Sequence, residues 1–168
     1  MKRFTIWILL FGLSSAAFAA IDAPTGRVIL TVSGAIDGSN VPEQQLVQLD
    51  LAMLKQLPVH EITTHNPWEE GIHHYVGFNL KDLFTLIKSR GDLIRLTAFN
   101  QYITEIPMSD FEDWDTIIAY EMDGKPIPVR NKGPLMVIYN FDQHPELRNE
   151  AYYGRSIWQI QSLQVMEP

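Results

Sequence analysis

Residues 117–139 read IIAYEMDGKPIPVRNKGPLMVIY, and the class of fold follows from how that run is parsed. Thr116 to Met122 is rich in β-branched and aromatic residues, which predicts a strand. Asp123-Gly124 follows as a hairpin signal, because both residues tolerate the positive φ of a tight two-residue turn. Ile127-Pro128 leads into the polar loop VRNKGP, and Leu135 to Tyr139 is a short unbroken apolar run, as in a strand buried on both faces.

Outward from this centre, helices and strands alternate without the strand–helix–strand rhythm of a parallel sheet. Arg27 to Ser33 (RVILTVS) predicts a strand stopped by Gly34. Leu49 to Leu57 puts Leu49, Met53, Leu54 and Leu57 on one helical face, with Pro58 as the stop. Val59 to Thr63 is expected as a short strand, followed by the polar stretch TTHNPWEEG as a loop. Asn79 is a candidate cap for a helix with the stripe Leu80, Leu83, Phe84 and Ile87, ending at Arg90-Gly91. Leu93 to Phe99 and Tyr102 to Ile106 predict two strands joined at Asn100-Gln101, and Pro107 opens a short acidic helix. FDQHPELRNEAYYG is a polar and aromatic excursion, and SIWQIQSLQV closes the chain as a strand. The expected class is α+β, with mixed sheets and short helices in a single domain.

Lys2 and Arg3, the apolar run Phe4 to Leu13 and Ala17-Phe18-Ala19 form the pattern of a signal peptide over residues 1–19. The apolar run is shorter than the ~20 residues that span a bilayer. Residues 20–168 are then the mature domain, exported to the periplasm without direct membrane insertion. Loss of Lys2 and Arg3 takes the net charge from −7 to −9, which disfavours nucleic acid and anionic lipid as partners. The chain has no cysteine among its 168 residues. Packing alone must stabilise it, and thiolate chemistry is excluded. No G-x-S-x-G, P-loop or G-x-G-x-x-G motif occurs.

Taken in order, LDLAMLKQLP, GFNLKDLFTLI, NQYITEIP, IIAYEMDGKPIPVRNKGPLMVIY and GRSIWQIQSLQV resemble the molybdopterin-binding domain of the sulfite oxidase family, over about Leu49 to Val165. Three of these pieces are similar to the family's G-Y-x-x-x-I-P, A-x-x-M-N-G-x-x-L-P-x-x-H-G-x-P and A-R-S-V-K-W-L-x-x-I segments. The resemblance implies that family's fold. It also implies a molybdenum-ligating cysteine in the loop that here reads TTHNPWEEG, where none exists. His65 and Asn66 are poor substitutes for a soft thiolate. The family's lysine in the closing segment aligns with Trp158, and its H-G-x-P histidine with Lys132 or Asn131. The chain is also similar to small exported, cysteine-less proteins of this fold that bind free pterins. Their loaded state adjusts an inner-membrane enzyme of cyclic di-GMP metabolism.

The expected ligand site is therefore a pterin reader with no catalytic residue and no metal. Trp68 supplies a stacking face, and Thr64, His65 and Asn66 supply donors and acceptors. Asn100 and Tyr102 lie at a strand turn where the family contacts its cofactor, and Lys132 matches a family site loop. Arg155 and Ser156 offer a guanidinium fork and a hydroxyl, the alternative for Arg155 being an ion pair with a carboxylate. Tyr152 and Tyr153 are read as alternating on a strand-like segment, with Tyr153 facing the pocket. Asp142 is a further candidate, for a ligand's guanidine-like edge, and Trp158 is read as core. His65, His73 and His74 lack metal-ligand spacing. Two rival readings remain: a molybdopterin-dependent oxidoreductase with a non-cysteine ligand, and an interaction module with no ligand.

Overall fold

The computed structural model describes residues 21–167; the expected signal peptide lies outside them. In chain order the elements are β1 (Val28–Gly34), β2 (Val47–Asp50), α1 (Leu51–Leu54), β3 (Val59–Asn66), β4 (Glu69–Phe78), α2 (Leu80–Ile87), β5 (Leu93–Ala98), β6 (Ile103–Pro107), α3 (Ser109–Asp113), β7 (Ile117–Met122), β8 (Lys125–Pro126), β9 (Met136–Ile138), α4 (Glu150–Arg155) and β10 (Ile160–Met166). One sheet runs β2-β1-β10-β5-β6, and the second runs β3-β4-β7-β8 with β9 also paired to β7. Only β1 and β10 pair in parallel; the other pairings are antiparallel. Short helices and mixed sheets in one compact unit make the fold α+β.

The central run behaves as its composition requires. Along β7, Ile118 and Tyr120 enter the main core while Ile117 and Ala119 enter a second, smaller one with Ile62, Tyr75, Met136 and Ile138. A strand covered on both faces must be apolar throughout. Asp123 and Gly124 adopt φ of 52° and 72°, the paired positive values that the hairpin turn requires. The main core lies between the two sheets and α2, where Leu30 and Val32 of β1 meet Leu80, Leu83 and Ile87. Asn79 caps α2 by accepting from Lys81 N–H at 2.9 Å, and its own amide donates to the Phe111 and Thr116 carbonyls.

Four local expectations need correction. TTHNPWEEG is a hairpin rather than a loop: β3 continues to Asn66, Pro67-Trp68 forms the turn, and β4 starts at Glu69. The strand period survives in burial, with Ile62, Thr64 and Asn66 inward and Glu61, Thr63 and His65 outward. Leu49 belongs to β2, because Asp50 accepts from Met53 N–H and caps a helix that runs only from Leu51 to Leu54, short of the expected Leu49 to Leu57 at both ends. Helix α2 stops at a left-handed Lys88, two residues before Arg90. Tyr152 and Tyr153 sit on helix α4, whose cap is Asn149 accepting from Ala151 N–H.

Candidate functional site

The β3–β4 turn, the β5–β6 turn, the C-terminal end of α4 and the approach to β10 converge on one cleft of 240 Å³. Its walls include Trp68, Tyr102, Tyr153 and Trp158, with Asn100 and Ser156 between them. Two of the rings are tethered to the carbonyls that end α4. Trp68 Nε1 donates to Ser156 O and Tyr102 Oη donates to Gly154 O, each at 3.0 Å. These bonds span large sequence separations and fix the position of two half-exposed aromatic rings. Asn100 Oδ1 accepts from Tyr102 N–H at 3.0 Å, closing the β5–β6 turn. Its amide nitrogen has no protein partner among the described residues.

Beside the cleft, with Tyr153 in the wall of both, lies a smaller depression of 130 Å³ lined by His65, Asn66, Phe141 and Arg148. Asn66 is 5% exposed. Its Oδ1 accepts from Trp68 N–H at 2.8 Å, which fixes the amide orientation. The opposite Nδ2 is buried without a hydrogen-bond partner. A buried unsatisfied donor costs roughly 1–3 kcal/mol. The Tyr75 hydroxyl, in the second core, is the other buried side-chain polar atom without a partner among the described residues.

Asp142 organises the outer edge. It accepts from His65 N–H at 3.0 Å, from His65 Nδ1 at 2.9 Å and from Arg148 Nη2 at 2.6 Å. Burial works to raise its pKa, but the His65 N–H, the His65 ring and the Arg148 guanidinium outweigh it and hold the carboxyl below its ordinary range. Asp142 is thus engaged within the protein, against its expected role at a ligand's edge.

Of the ten residues expected at the site, Trp68, Asn100, Tyr102, Tyr153 and Ser156 line the cleft, and His65 and Asn66 line the depression. Three stand elsewhere. Thr64 is fully buried, its hydroxyl accepting from Asp142 N–H at 3.1 Å. Lys132 pairs with Glu69 at 2.7 Å, in neither cavity. Arg155 donates to the buried Asp110 at 2.9 Å, the ion-pair alternative, and Asp110 also accepts from Tyr139 Oη at 2.6 Å. Burial, then the Asp110 bond, pushes the Tyr139 pKa far up. Ser156 contributes backbone, since its hydroxyl donates to Tyr152 O. Tyr153 does reach the cleft, but through helical geometry: Tyr152 turns to Tyr139 and Tyr153 to Phe141, with ring centroids 5.3 and 5.5 Å apart. Trp158 both packs against the second core and lines the cleft. Trp158 lies between α4 and β10, where no strand period assigns its face in advance, and nothing in the sequence singles out Arg148.

The model of the oxidoreductase molybdopterin-binding domain matches residues 35–140. The chain belongs to this oxidoreductase molybdopterin-binding domain family. Its fold is the sulfite oxidase type. Among solved structures it is similar to the sulfane dehydrogenase SoxCD from Paracoccus pantotrophus, at 13% identity and a TM-score of 0.61, over 89% of this chain and 40% of that one. This member of the family thus spans less than half the length of that enzyme chain. No curated protein matches.

The site fits part of the group for which the family is named. The aromatic walls and the orphaned Asn66 donor suit a flat heteroaromatic ring with acceptor edges. The cleft is smaller than the roughly 300–1,000 Å³ that encloses drug-sized ligands. No thiolate exists in the chain to hold molybdenum, and the imidazole of His65 is a poor substitute for a soft thiolate. Among the described residues, no three His, Asp or Glu side chains group as metal ligands. A complete molybdenum cofactor does not fit this donor set.

Proposed function

We propose that this chain binds a free pterin and performs no molybdenum catalysis. The observation that carries the reading is the cleft itself, with four aromatic side chains and an orphaned amide donor beside it where the family's enzymes require a thiolate. Stacking on such walls contributes roughly 1–3 kcal/mol per flat ring. The unpartnered Asn100 amide in the cleft wall would donate to the ring's acceptor edge, and Asn66 Nδ2, buried beside the adjoining depression, becomes a second donor if the wall between them yields.

The proposal extends to the cell. The chain is exported through the signal peptide of residues 1–19 and works in the periplasm. There its pterin-loaded form regulates the periplasmic region of an inner-membrane enzyme of cyclic di-GMP signalling. This part rests on the resemblance to small cysteine-less pterin binders and on the N-terminal sequence pattern. No helix among the described residues is long and apolar enough to cross a membrane.

The test is titration of the purified protein with a free pterin, oxidised and reduced, followed by quenching of ligand and tryptophan fluorescence. Saturable binding at one site per chain is expected. Absence of saturable binding to either form would contradict the proposal.

A further inference from the structure

A third cavity, of 360 Å³, lies on the other side of the cleft wall, lined by Arg27, Val28, Phe99, Val129, Pro134 and the open face of β1 and β10. Val28, Phe99 and Val129 are 36%, 40% and 41% exposed. They are three of the nine large apolar side chains exposed among the described residues, and they meet in one groove. Clustering of this kind, unlike a scattered exposed Val, marks an interaction surface.

The charge around the groove opposes that of the chain. No carboxylate lines it, although the chain carries a net charge of −7. Arg27 lines the groove, the exposed Arg130 is the next residue after its lining Val129, and neither forms an ion pair among the described residues. Asp50, opposite Val28 on β2, is buried and accepts from the N–H groups of Thr25, Gly26 and Met53. We propose that this groove docks an extended protein segment that alternates acidic and apolar residues. A second copy docking through this same face would set Arg27 against Arg27, which disfavours a symmetric dimer here.

The rim is preformed, which lowers the ordering cost of binding. Gln159 Nε2 donates to Val129 O at 2.7 Å and to Asn131 O at 3.1 Å, and Phe99 N–H donates to Gln159 O at 3.0 Å. Groove and ligand cleft share one layer of backbone. Ala98 and Asn100 line the cleft while Phe99, between them, lines the groove. Ligand in the cleft thus bears on the same turn that shapes the groove. Only this coupling rests on the proposed function.

The experiment uses two synthetic extended peptides, one alternating Glu with Leu and Val, the other with Lys in place of Glu. Binding to the isotopically labelled protein is followed by NMR at the amides of Val28, Phe99 and Val129. The acidic peptide is expected to shift these amides and to bind at least about tenfold tighter than the basic one. The double variant Arg27→Glu, Arg130→Glu, altered only at surface positions, should weaken acidic-peptide binding about tenfold or more, and Phe99→Ser should abolish it. Equal binding of both peptides, shifts confined to other faces, or a concentration-dependent dimer dissolved by the double variant would overturn the proposal. Pterin titration of the double variant separates the two readings: retained pterin binding with lost peptide binding supports the groove alone, whereas lost pterin binding in wild type leaves the groove judged by the peptides.

Discussion

Replacing Trp68 separates stacking from scaffolding at the cleft. Trp68 is 44% exposed, so a little over half of its side chain is covered by protein. An aromatic side chain buries about 150–250 Å² when enclosed. Roughly 100 Å² at about 25 cal/mol/Å² corresponds to ~2.5 kcal/mol of folding stability. The Nε1–Ser156 bond adds about 1 kcal/mol. Trp68→Ala therefore destabilises the fold by about 2–3 kcal/mol, once hairpin relaxation is allowed for. In the folded protein it also removes a stacking wall, costing roughly 1–3 kcal/mol of binding, a fivefold to hundredfold rise in Kd. Trp68→Phe keeps a flat ring but loses the tether, so it should recover most of the affinity and only part of the stability. Calorimetric pterin titrations well below the lowest Tm, paired with urea unfolding of all three proteins, supply both quantities. If Trp68→Ala bound as tightly as wild type, or Trp68→Phe bound as poorly as Trp68→Ala, stacking would not be the role of this residue.

Further outcomes follow from the ionised groups and the family's missing ligand. His73 Nδ1 bonds Asp123 at 2.7 Å and Nε2 bonds Glu70 O at 2.9 Å; both partners are acceptors, so both ring nitrogens must donate. The Asp123 bond first, then the Glu70 carbonyl, raises the His73 pKa, and the His73 bond lowers that of Asp123. The histidine's contribution is full below its unfolded pKa of about 6.5 and is lost as pH rises through the higher folded value. The aspartate's contribution is present above about 3.8 and is lost on acidification through its lower folded value. Urea midpoints should therefore fall from about pH 6 to 9 in wild type and fall less in His73→Gln. Asp110→Ala should cost about 3 kcal/mol in urea unfolding, because it strands the Tyr139 hydroxyl and the partly exposed Arg155 charge. His65→Cys and Asn66→Cys should purify without stoichiometric molybdenum and without sulfite turnover, while at least the His65 variant still binds free pterin. A thiolate restores one donor, but Trp158 still stands where the resemblance places the family's lysine, and a misplacement of ~1 Å already costs about a hundredfold.

The frame of the molecule is legible wherever one physical cause dominates. The Asp123-Gly124 turn and the Asn79 cap each depend on side-chain or backbone chemistry confined to a few neighbouring residues. The unbroken apolar run of β9 reports burial on both faces. The misread segments are those where tertiary partners override local preference. Thr63 to Asn66 reads as a loop by polarity, yet Thr64 and Asn66 are accepted inside because Asp142 N–H and Trp68 N–H bond to their side chains. Tyr152-Tyr153-Gly154 has little helical preference, but Asn149 caps the turn and both rings find aromatic partners. At the site, exposed aromatics were the readable part, since turns between strands bring them to one end of the sheets. The charged residues were not: whether Arg155 and Lys132 face a ligand depends on Asp110 and Glu69, 45 and 63 residues away, respectively.

The most direct measurement is the identity of the small molecule the protein carries. The full chain would be expressed in a bacterium with abundant molybdenum cofactor, purified from the periplasm and unfolded, with mass spectrometry and elemental analysis applied to the released fraction. A blue-fluorescent pterin without stoichiometric molybdenum is the expected result. Molybdenum at one atom per chain, or the absence of any pterin, would contradict the assignment of this site as a metal-free pterin cleft.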